Sequence, residues 1–273
     1  MTTPLKEKHR AVWASGDYAA VAADIIPELG VLLVEACGVA AGQRVLDVAA
    51  GTGNAAIPAA LAGADVTASD LTPELLETGQ KLAATQDARL AWVEADAEDL
   101  PFANAEFDTV LSCVGVMFAP FHRTAADELV RVCRPGGTIG LLSWTPAGFV
   151  GQLFAAMKPF NAPPPPGAQP PPLWGDEAHV RELLGDRVAG VNARTGSVRV
   201  ARFAEPDGFR EYFKTNYGPT LAVYRSLAGD PERTAALDLA LDELAGRFRA
   251  ADGSMEWEYL LLTAERAGAS TGA

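Results

Sequence analysis

A chain of 273 residues, with 49% hydrophobic and 21% charged residues, can bury a large core and is too apolar to be disordered. Its net charge of −13, without any local lysine or arginine cluster, argues against nucleic-acid binding, which needs basic residues against the phosphates. The N-terminal segment lacks the apolar stretch of a signal peptide, and no apolar run is long enough to span a membrane. We therefore expect a cytoplasmic protein.

The three cysteines do not have the spacing of metal ligands. Cys37, Cys113 and Cys133 lie in helical or apolar segments, and their number is odd. We therefore predict buried free thiols in a reducing compartment, and no bound metal.

The first half of the chain changes from helices to an alternating pattern. Helices are predicted over 2–13 and 17–38, the second with Gly38 as its C-cap. Short apolar strands then alternate with helices, which predicts a parallel sheet with helices on both faces. The predicted strands are 44–48, 65–69, 90–94, 107–113 and 138–144, with helices over 54–62, from Thr72 onward, and over 124–133.

The second half is less regular. Residues 162–172 are rich in proline and predict an extended stretch, which we interpret as a linker in preference to a stiff loop over the site. The tail 268–273 is small and polar, and we expect it to fray. The other predictions are helices over 148–160, 176–184, 206–216, 219–228 and 231–250, and strands over 191–203 and 255–263.

A glycine turn, residues 47–53 (DVAAGTG), joins the first predicted strand to a helix. Glycines allow close backbone approach and a helix N-terminus offers unpaired N–H groups, so the turn suits a nucleotide-like ligand. Residues 51–56 (GTGNAA) also fit the dinucleotide pattern, and Asp70 follows Gly51 by 19 residues, where either cofactor's ribose needs an acceptor. These residues alone leave open both a nicotinamide site and an S-adenosylmethionine site.

Three further features favour S-adenosylmethionine. Asp47 precedes Gly51 by four residues, where a carboxylate repels a pyrophosphate but attracts an ammonium and a sulfonium. Residues 94–101 (EADAEDLP), after the third strand, offer acids and a small residue to the amino edge of an adenine. No lysine or arginine follows the glycines to bind a phosphate.

Residues 45–144 resemble the catalytic core of the class I S-adenosylmethionine-dependent methyltransferases, nearest the small-molecule subgroup related to ubiquinone and menaquinone methylation. The stretch 45–53 (VLDVAAGTG) is similar to the first motif of that family. The family often has glycine where this chain has Ala49, so we expect a negative φ there. The later motifs of the family are similar to four segments of this chain: Asp70-Leu71, Asp96-Ala97, 107–110 (FDTV) and 129–137 (LVRVCRPGG).

The resemblance implies an α/β, Rossmann-like sheet of seven strands in the order 3-2-1-4-5-7-6, with strand 7 antiparallel. Residues 1–40 would form an N-terminal helical cap, and 41–273 the methyltransferase domain, with 206–250 as a helical insertion and substrate lid. S-adenosylmethionine is the implied cofactor. Its predicted binding residues are Tyr18, Asp47, Ala49, Gly51, Gly53, Asn54, Asp70, Leu71, Asp96, Ala97 and Cys113.

The acceptor side is less defined, because methyl transfer depends mainly on positioning and the family has no fixed catalytic residue. His9, Tyr18 and His122 are candidate bases. A solvated His9 and a His122 bonded to nearby backbone are the favoured alternatives, and we expect His179 at the surface. The candidate acceptor wall, for which plain core packing is the alternative, consists of Trp13, Met117, Phe118, Phe213 and Tyr217.

The leading hypothesis is a methyltransferase, monomeric or homodimeric, acting on O, N or C of a small, aromatic or secondary-metabolite acceptor. An NAD(P)-dependent oxidoreductase using the same glycine turn is one alternative. A non-catalytic S-adenosylmethionine-binding protein is another, although an inactive site has no need of Asp47 and Asp70.

Overall fold

A computed structural model describes residues 4–203, 205 and 207–268. Its sheet has the strand order 3-2-1-4-5-7-6, with helices on both faces, which confirms the predicted fold. The first five strands are parallel, and the seventh is antiparallel to the fifth and the sixth. The strands are β1 (Arg44–Val48), β2 (Asp65–Asp70), β3 (Ala91–Glu94), β4 (Phe107–Cys113), β5 (Cys133–Trp144), β6 (Val188–Val200) and β7 (Met255–Arg266).

The core lies around β1, β4 and β5. Val45 and Leu46 of β1, and Val110 and Leu111 of β4, are completely buried, as expected for strands covered on both faces. The helices are α1 (Pro4–Trp13), α2 (Tyr18–Ile25), α3 (Pro27–Ala36), α4 (Ala56–Leu61), α5 (Pro73–Thr85), α6 (His122–Val132), α7 (Phe149–Met157), α8 (Glu177–Leu184), α9 (Gly208–Asn216), α10 (Gly218–Ser226) and α11 (Pro231–Phe248).

The single helix predicted over 17–38 is wrong, because the chain breaks at Ile26 into α2 and α3. Ile26 has φ −130° and ψ 32°, since a residue before proline is disfavoured in the helical region, and Pro27 then opens α3. Asp17 caps α2 by accepting a hydrogen bond of 3.0 Å from the Ala20 N–H. This break places Tyr18 at the first turn of its own helix.

The interpretation of 162–172 as a linker is also wrong, because the proline-rich segment packs against the domain. The Gln169 N–H donates a hydrogen bond of 2.9 Å to the Pro120 carbonyl. Trp174, just after the segment, is 1% exposed, and the Gly175 backbone lies so close to the Trp144 carbonyl that a side chain would clash. The segment therefore braces the loop that follows β4.

The N-terminal helices and the helices between β6 and β7 pack together over the ends of the strands. A Cβ on Gly218 would lie 2.3 Å from the Val12 carbonyl oxygen, and one on Gly16 would lie 2.2 Å from that of Asn216. The two turns thus meet backbone to backbone, which only glycine allows. Residues 2, 3 and 206, and 269–273 of the predicted tail, lie outside the described residues.

Candidate active site

The glycine turn after β1 has a left-handed backbone at three alternate positions. The φ angles are +55° at Ala49, +56° at Gly51 and +89° at Gly53, so the expected negative φ at Ala49 is wrong. A left-handed alanine costs energy because its Cβ crowds the carbonyl, and such strain persists where surroundings fix it. Here Gly115 packs closely against the turn, because a Cβ added to Gly115 would lie 2.2 Å from the Ala49 carbonyl oxygen.

Asp70, at the end of β2, ties this turn to the next loop. Its carboxylate accepts hydrogen bonds of 2.8 Å from the Gly51 N–H and 2.8 Å from the Thr72 N–H. Burial raises the pKa of Asp70 despite these donors, which act in the opposite direction. A carboxylate has about four lone-pair sites, so capacity remains for the hydroxyl groups of a ribose.

Asp47 is a buried acid without a compensating charge. It is 1% exposed, and neither carboxylate oxygen has a hydrogen-bond partner among the described residues. The Ala56 N–H faces it without completing a bond, and burial raises the pKa of Asp47 to about 8. A buried acid without a partner is costly, so this position favours a cationic group bound nearby, directly or through water.

Asp96 follows β3 and forms an ion pair with a lysine that was not predicted from the sequence. Lys6 of α1 donates hydrogen bonds of 2.7 Å to Asp96 and 2.6 Å to Glu98, and it is 8% exposed. Glu98 in turn accepts a hydrogen bond of 2.8 Å from the Phe121 N–H, so α1 is attached to two loops at once. Because a single lysine 90 positions before its partner forms no motif, the sequence carried no signal for this contact.

Lys6, Asp70 and Asp96 border one cavity of about 640 Å³, counting its open mouth, which we call the cofactor cleft. Predicted residues lining the cleft are His9, Trp13, Tyr18, Ala49, Gly51, Asp70, Leu71, Asp96, Ala97 and Phe118. The cleft is also lined by Lys6, Thr72, Leu75, Ala95, Val114, Gly115, Val116, Ala119 and Pro120.

Four predicted cofactor residues lie behind the cleft wall. Asp47 is beneath the glycine turn. Gly53 packs against the Trp92 ring, which a Cβ would approach to 2.8 Å, so its role is close packing. The Asn54 amide donates to the Ile26 carbonyl at 3.1 Å, and burial raises the pKa of the Cys113 thiol beside it. All three cysteines are free and buried, as predicted.

His122 lies outside the cleft, and its side chain does not make the predicted bond to any backbone group that the structure describes. It is fully buried, and its Nδ1 lies 3.0 Å from Nε2 of His179, which is half-buried rather than at the surface. Burial, with a smaller contribution from His179, lowers the pKa of His122 to about 4. The position therefore does not support a role as base. His9 borders the cleft, and burial with nearby Lys6 lowers its pKa.

A second, smaller cavity of about 330 Å³, counting the open space at its mouth, adjoins the cleft, and we call it the aromatic chamber. Tyr18, Val114 and Phe118 border both cavities. The other lining residues are Val21, Ile25, Ile26, Trp144, Val150, Phe213, Tyr217 and Trp257. Predicted Met117 is fully buried and borders neither cavity. Among the lining residues that the structure describes, none is charged.

Val114 marks the junction of the two cavities. This residue is buried and has a φ of +55°, an outlier for a β-branched side chain. Its N–H donates to the Leu142 carbonyl at 2.7 Å, which holds the strained turn against β5. Strain of this kind is concentrated at functional sites. Trp144 and Trp257 reach the chamber from β5 and β7, and no local sequence pattern separates them from other core tryptophans.

The cleft at the carboxyl ends of β1, β2 and β4 now has the features of a nucleoside site with a cationic tail. A family profile described as a methyltransferase domain matches residues 45–137. The demethylmenaquinone methyltransferase of Clavibacter sepedonicus is 44% identical over 99 residues, covering 36% of this chain and 40% of that protein. Residues 45–137 form a methyltransferase domain of the class I S-adenosylmethionine-dependent kind. The chain is therefore an enzyme whose cofactor is S-adenosylmethionine, and the NAD(P)-dependent alternative is set aside.

Two further relatives show how far the likeness extends. An uncharacterized protein of Mycobacterium tuberculosis is 52% identical over 262 residues, covering 96% of this chain and 95% of its own length. The YcgJ protein from Bacillus subtilis has a TM-score of 0.60 at 17% identity, covering 88% of this chain and 99% of that chain, so it shows the shared fold. None of the helices in the described part of this methyltransferase is long and apolar enough to cross a bilayer.

Proposed function

We propose that this methyltransferase passes a methyl group to O, N or C of a small, largely apolar ring compound bound in the aromatic chamber. The observation that carries the proposal is the shared wall of Tyr18, Val114 and Phe118 between the cofactor cleft and the chamber. A chamber without charged walls suits neither a phosphorylated acceptor nor a carboxylate-rich one. Its apolar lining is consistent with an aromatic or secondary-metabolite acceptor.

The cofactor residues are proposed from their positions in the cleft. Asp70 would accept from the ribose hydroxyls, while Asp96 with the loop around Ala97 would meet the adenine. The left-handed turn at Ala49 and Gly51, with Asp47 behind it, would receive the methionine end. When bound, the cofactor supplies a methyl group carried on a positively charged sulfur.

The chain contributes mainly positioning to the reaction. The acceptor atom must lie about 3–3.5 Å from the methyl carbon and in line with the bond that breaks. The packed rings of Trp13, Tyr18 and Phe118, with centroids 5.5 and 4.6 Å apart, provide a rigid wall for that alignment. Aromatic faces also favour a neighbouring cation, so this wall suits the sulfonium.

We also propose that residues 1–40 act as a cap and 206–250 as the substrate lid. The insertion supplies Phe213 and Tyr217 to the chamber, and the cap supplies Tyr18. Three buried free cysteines support a reducing compartment, so we place the protein in the cytoplasm.

Two measurements test this function. Calorimetric titration should show binding of S-adenosylhomocysteine and no comparable binding of NADH. A panel of phenols, quinols and amines with isotope-labelled donor should then yield labelled product with apolar ring compounds. Donor binding without any turnover across the panel would contradict this acceptor class, and turnover confined to phosphorylated or carboxylate-rich acceptors would contradict the chamber assignment.

A further inference from the structure

Two tyrosine hydroxyls at the chamber have no hydrogen-bond partner among the described residues. Tyr18 borders both cavities and Tyr217 borders the chamber, and both pack edge-on against Trp13 at centroid distances of 5.5 and 5.9 Å. Tyr217 is only 5% exposed. By contrast, the hydroxyls of Tyr212 and Tyr224 donate to aspartates at 2.8 and 2.6 Å.

Unpaired phenols beside an apolar cavity are available to donate to a bound acceptor atom. Neither hydroxyl oxygen is fully enclosed by the protein, so both are open to a bound molecule, and the phenol of a tyrosine usually finds a hydrogen-bond partner. Burial raises the pKa of Tyr18 and Tyr217 well above the ordinary value, so both remain protonated at neutral pH. They therefore serve as hydrogen-bond donors and not as bases.

We propose that Tyr18 and Tyr217 form an oxygen-binding pair that holds the ionised oxygen of a phenol- or enol-type acceptor beside the cofactor's sulfur. This inference rests on the proposed function and narrows its acceptor class. The proton of the acceptor hydroxyl leaves to water before the oxygen enters the chamber, so no internal base is needed.

The charge balance of the site adds a second consequence. Among the described residues, none lining the chamber carries a positive charge that could neutralise an anion. A bound cofactor would supply its sulfonium as the counter-charge, and the two phenol donors would complete the solvation of the oxygen. Anion binding would then be coupled to a cationic cofactor and would weaken once the neutral product is bound.

The test uses 4-nitrophenol, whose anion is yellow and whose neutral form is not. The full-length protein is loaded with sinefungin, a stable cationic analogue of the donor, or with neutral S-adenosylhomocysteine. We expect the sinefungin complex to bind the probe and raise its yellow fraction at fixed pH. Tyr217→Phe should weaken binding of the anion about tenfold or more, as loss of a hydrogen bond to a charged group does, and Tyr18→Phe should act in the same direction.

Tyr212→Phe is the matched control, because Tyr212 lies in α9, just before Tyr217, and its hydroxyl is bonded to Asp24 outside the chamber. This variant should leave the probe spectrum unchanged. Failure of the probe to bind, an unshifted spectrum, or equal anion binding by wild type and Tyr217→Phe would overturn the pair. Calorimetry with S-adenosylhomocysteine on each variant separates this from the proposed function, which fails only if donor binding or methyl transfer is absent.

Discussion

Replacing Ala49 by glycine removes a methyl group from a left-handed residue in the middle of the cofactor turn. At φ +55° an alanine costs about 1–2 kcal/mol relative to a right-handed residue, whereas glycine adopts this region freely. The greater conformational freedom of glycine in the unfolded chain offsets roughly 0.4–1 kcal/mol of the strain energy that the substitution relieves. Ala49 is half-buried at the cleft wall, so little apolar packing is lost. We therefore expect Ala49→Gly to raise the free energy of unfolding by about 1 kcal/mol.

The reverse change two residues later provides a matched control. Gly51 has φ +56°, and a Cβ there would lie 3.5 Å from the Tyr18 ring, an ordinary contact. Gly51→Ala thus tests backbone strain without a clash, and after the same correction for chain freedom it should lower stability by about 1 kcal/mol. Urea unfolding of the free protein measures both variants, with an unchanged denaturant slope required for comparison. A destabilised Ala49→Gly, or a neutral Gly51→Ala, would refute the strain argument.

Three further predictions concern the two cavities. Binding of S-adenosylhomocysteine near pH 6 to 7 should release close to one proton, because the ammonium of the ligand lowers the pKa of Asp47 from about 8. Calorimetry in buffers of different ionisation enthalpy measures this proton release. The release should decrease above pH 8, and it should be absent in Asp47→Asn. Asp70→Asn should weaken S-adenosylhomocysteine about ten- to a hundredfold in the same titration, since the Gly51 N–H and the ribose lose a charged acceptor; unchanged affinity would exclude the proposed ribose role. Val150→Phe should fill part of the aromatic chamber and raise the KM for the acceptor at least several-fold while leaving S-adenosylhomocysteine affinity intact, and a loss confined to the cofactor would contradict the division into two cavities.

The parts of the fold set by local pattern were predictable. β1, β4 and the glycine turn after β1 were predicted from short apolar runs and the turn residues that bound them. The strand order was predicted from the family resemblance. The break at Pro27 was readable as well, but the apolar spacing on either side of it concealed the boundary between α2 and α3.

The missed features depend on contacts between distant parts of the chain. The positive φ of Ala49 is held by Gly115, which lies 66 positions later, so the turn sequence alone suggested the opposite sign. The proline-rich segment is linker-like in composition, and only its hydrogen bond to Pro120 shows that it braces the site. His122 lacked a visible partner because His179 comes from another helix.

The attachment of Lys6 to Asp96 and Glu98 has a kinetic consequence. Both hydrogen bonds are charge-assisted and largely sheltered from water, and they hold α1 at the edge of the cleft beside Asp96. We expect exchange of spent for fresh cofactor to require these two bonds to break, a conformational step of the kind that often limits turnover. A lysine that takes no part in methyl transfer would then set the turnover rate.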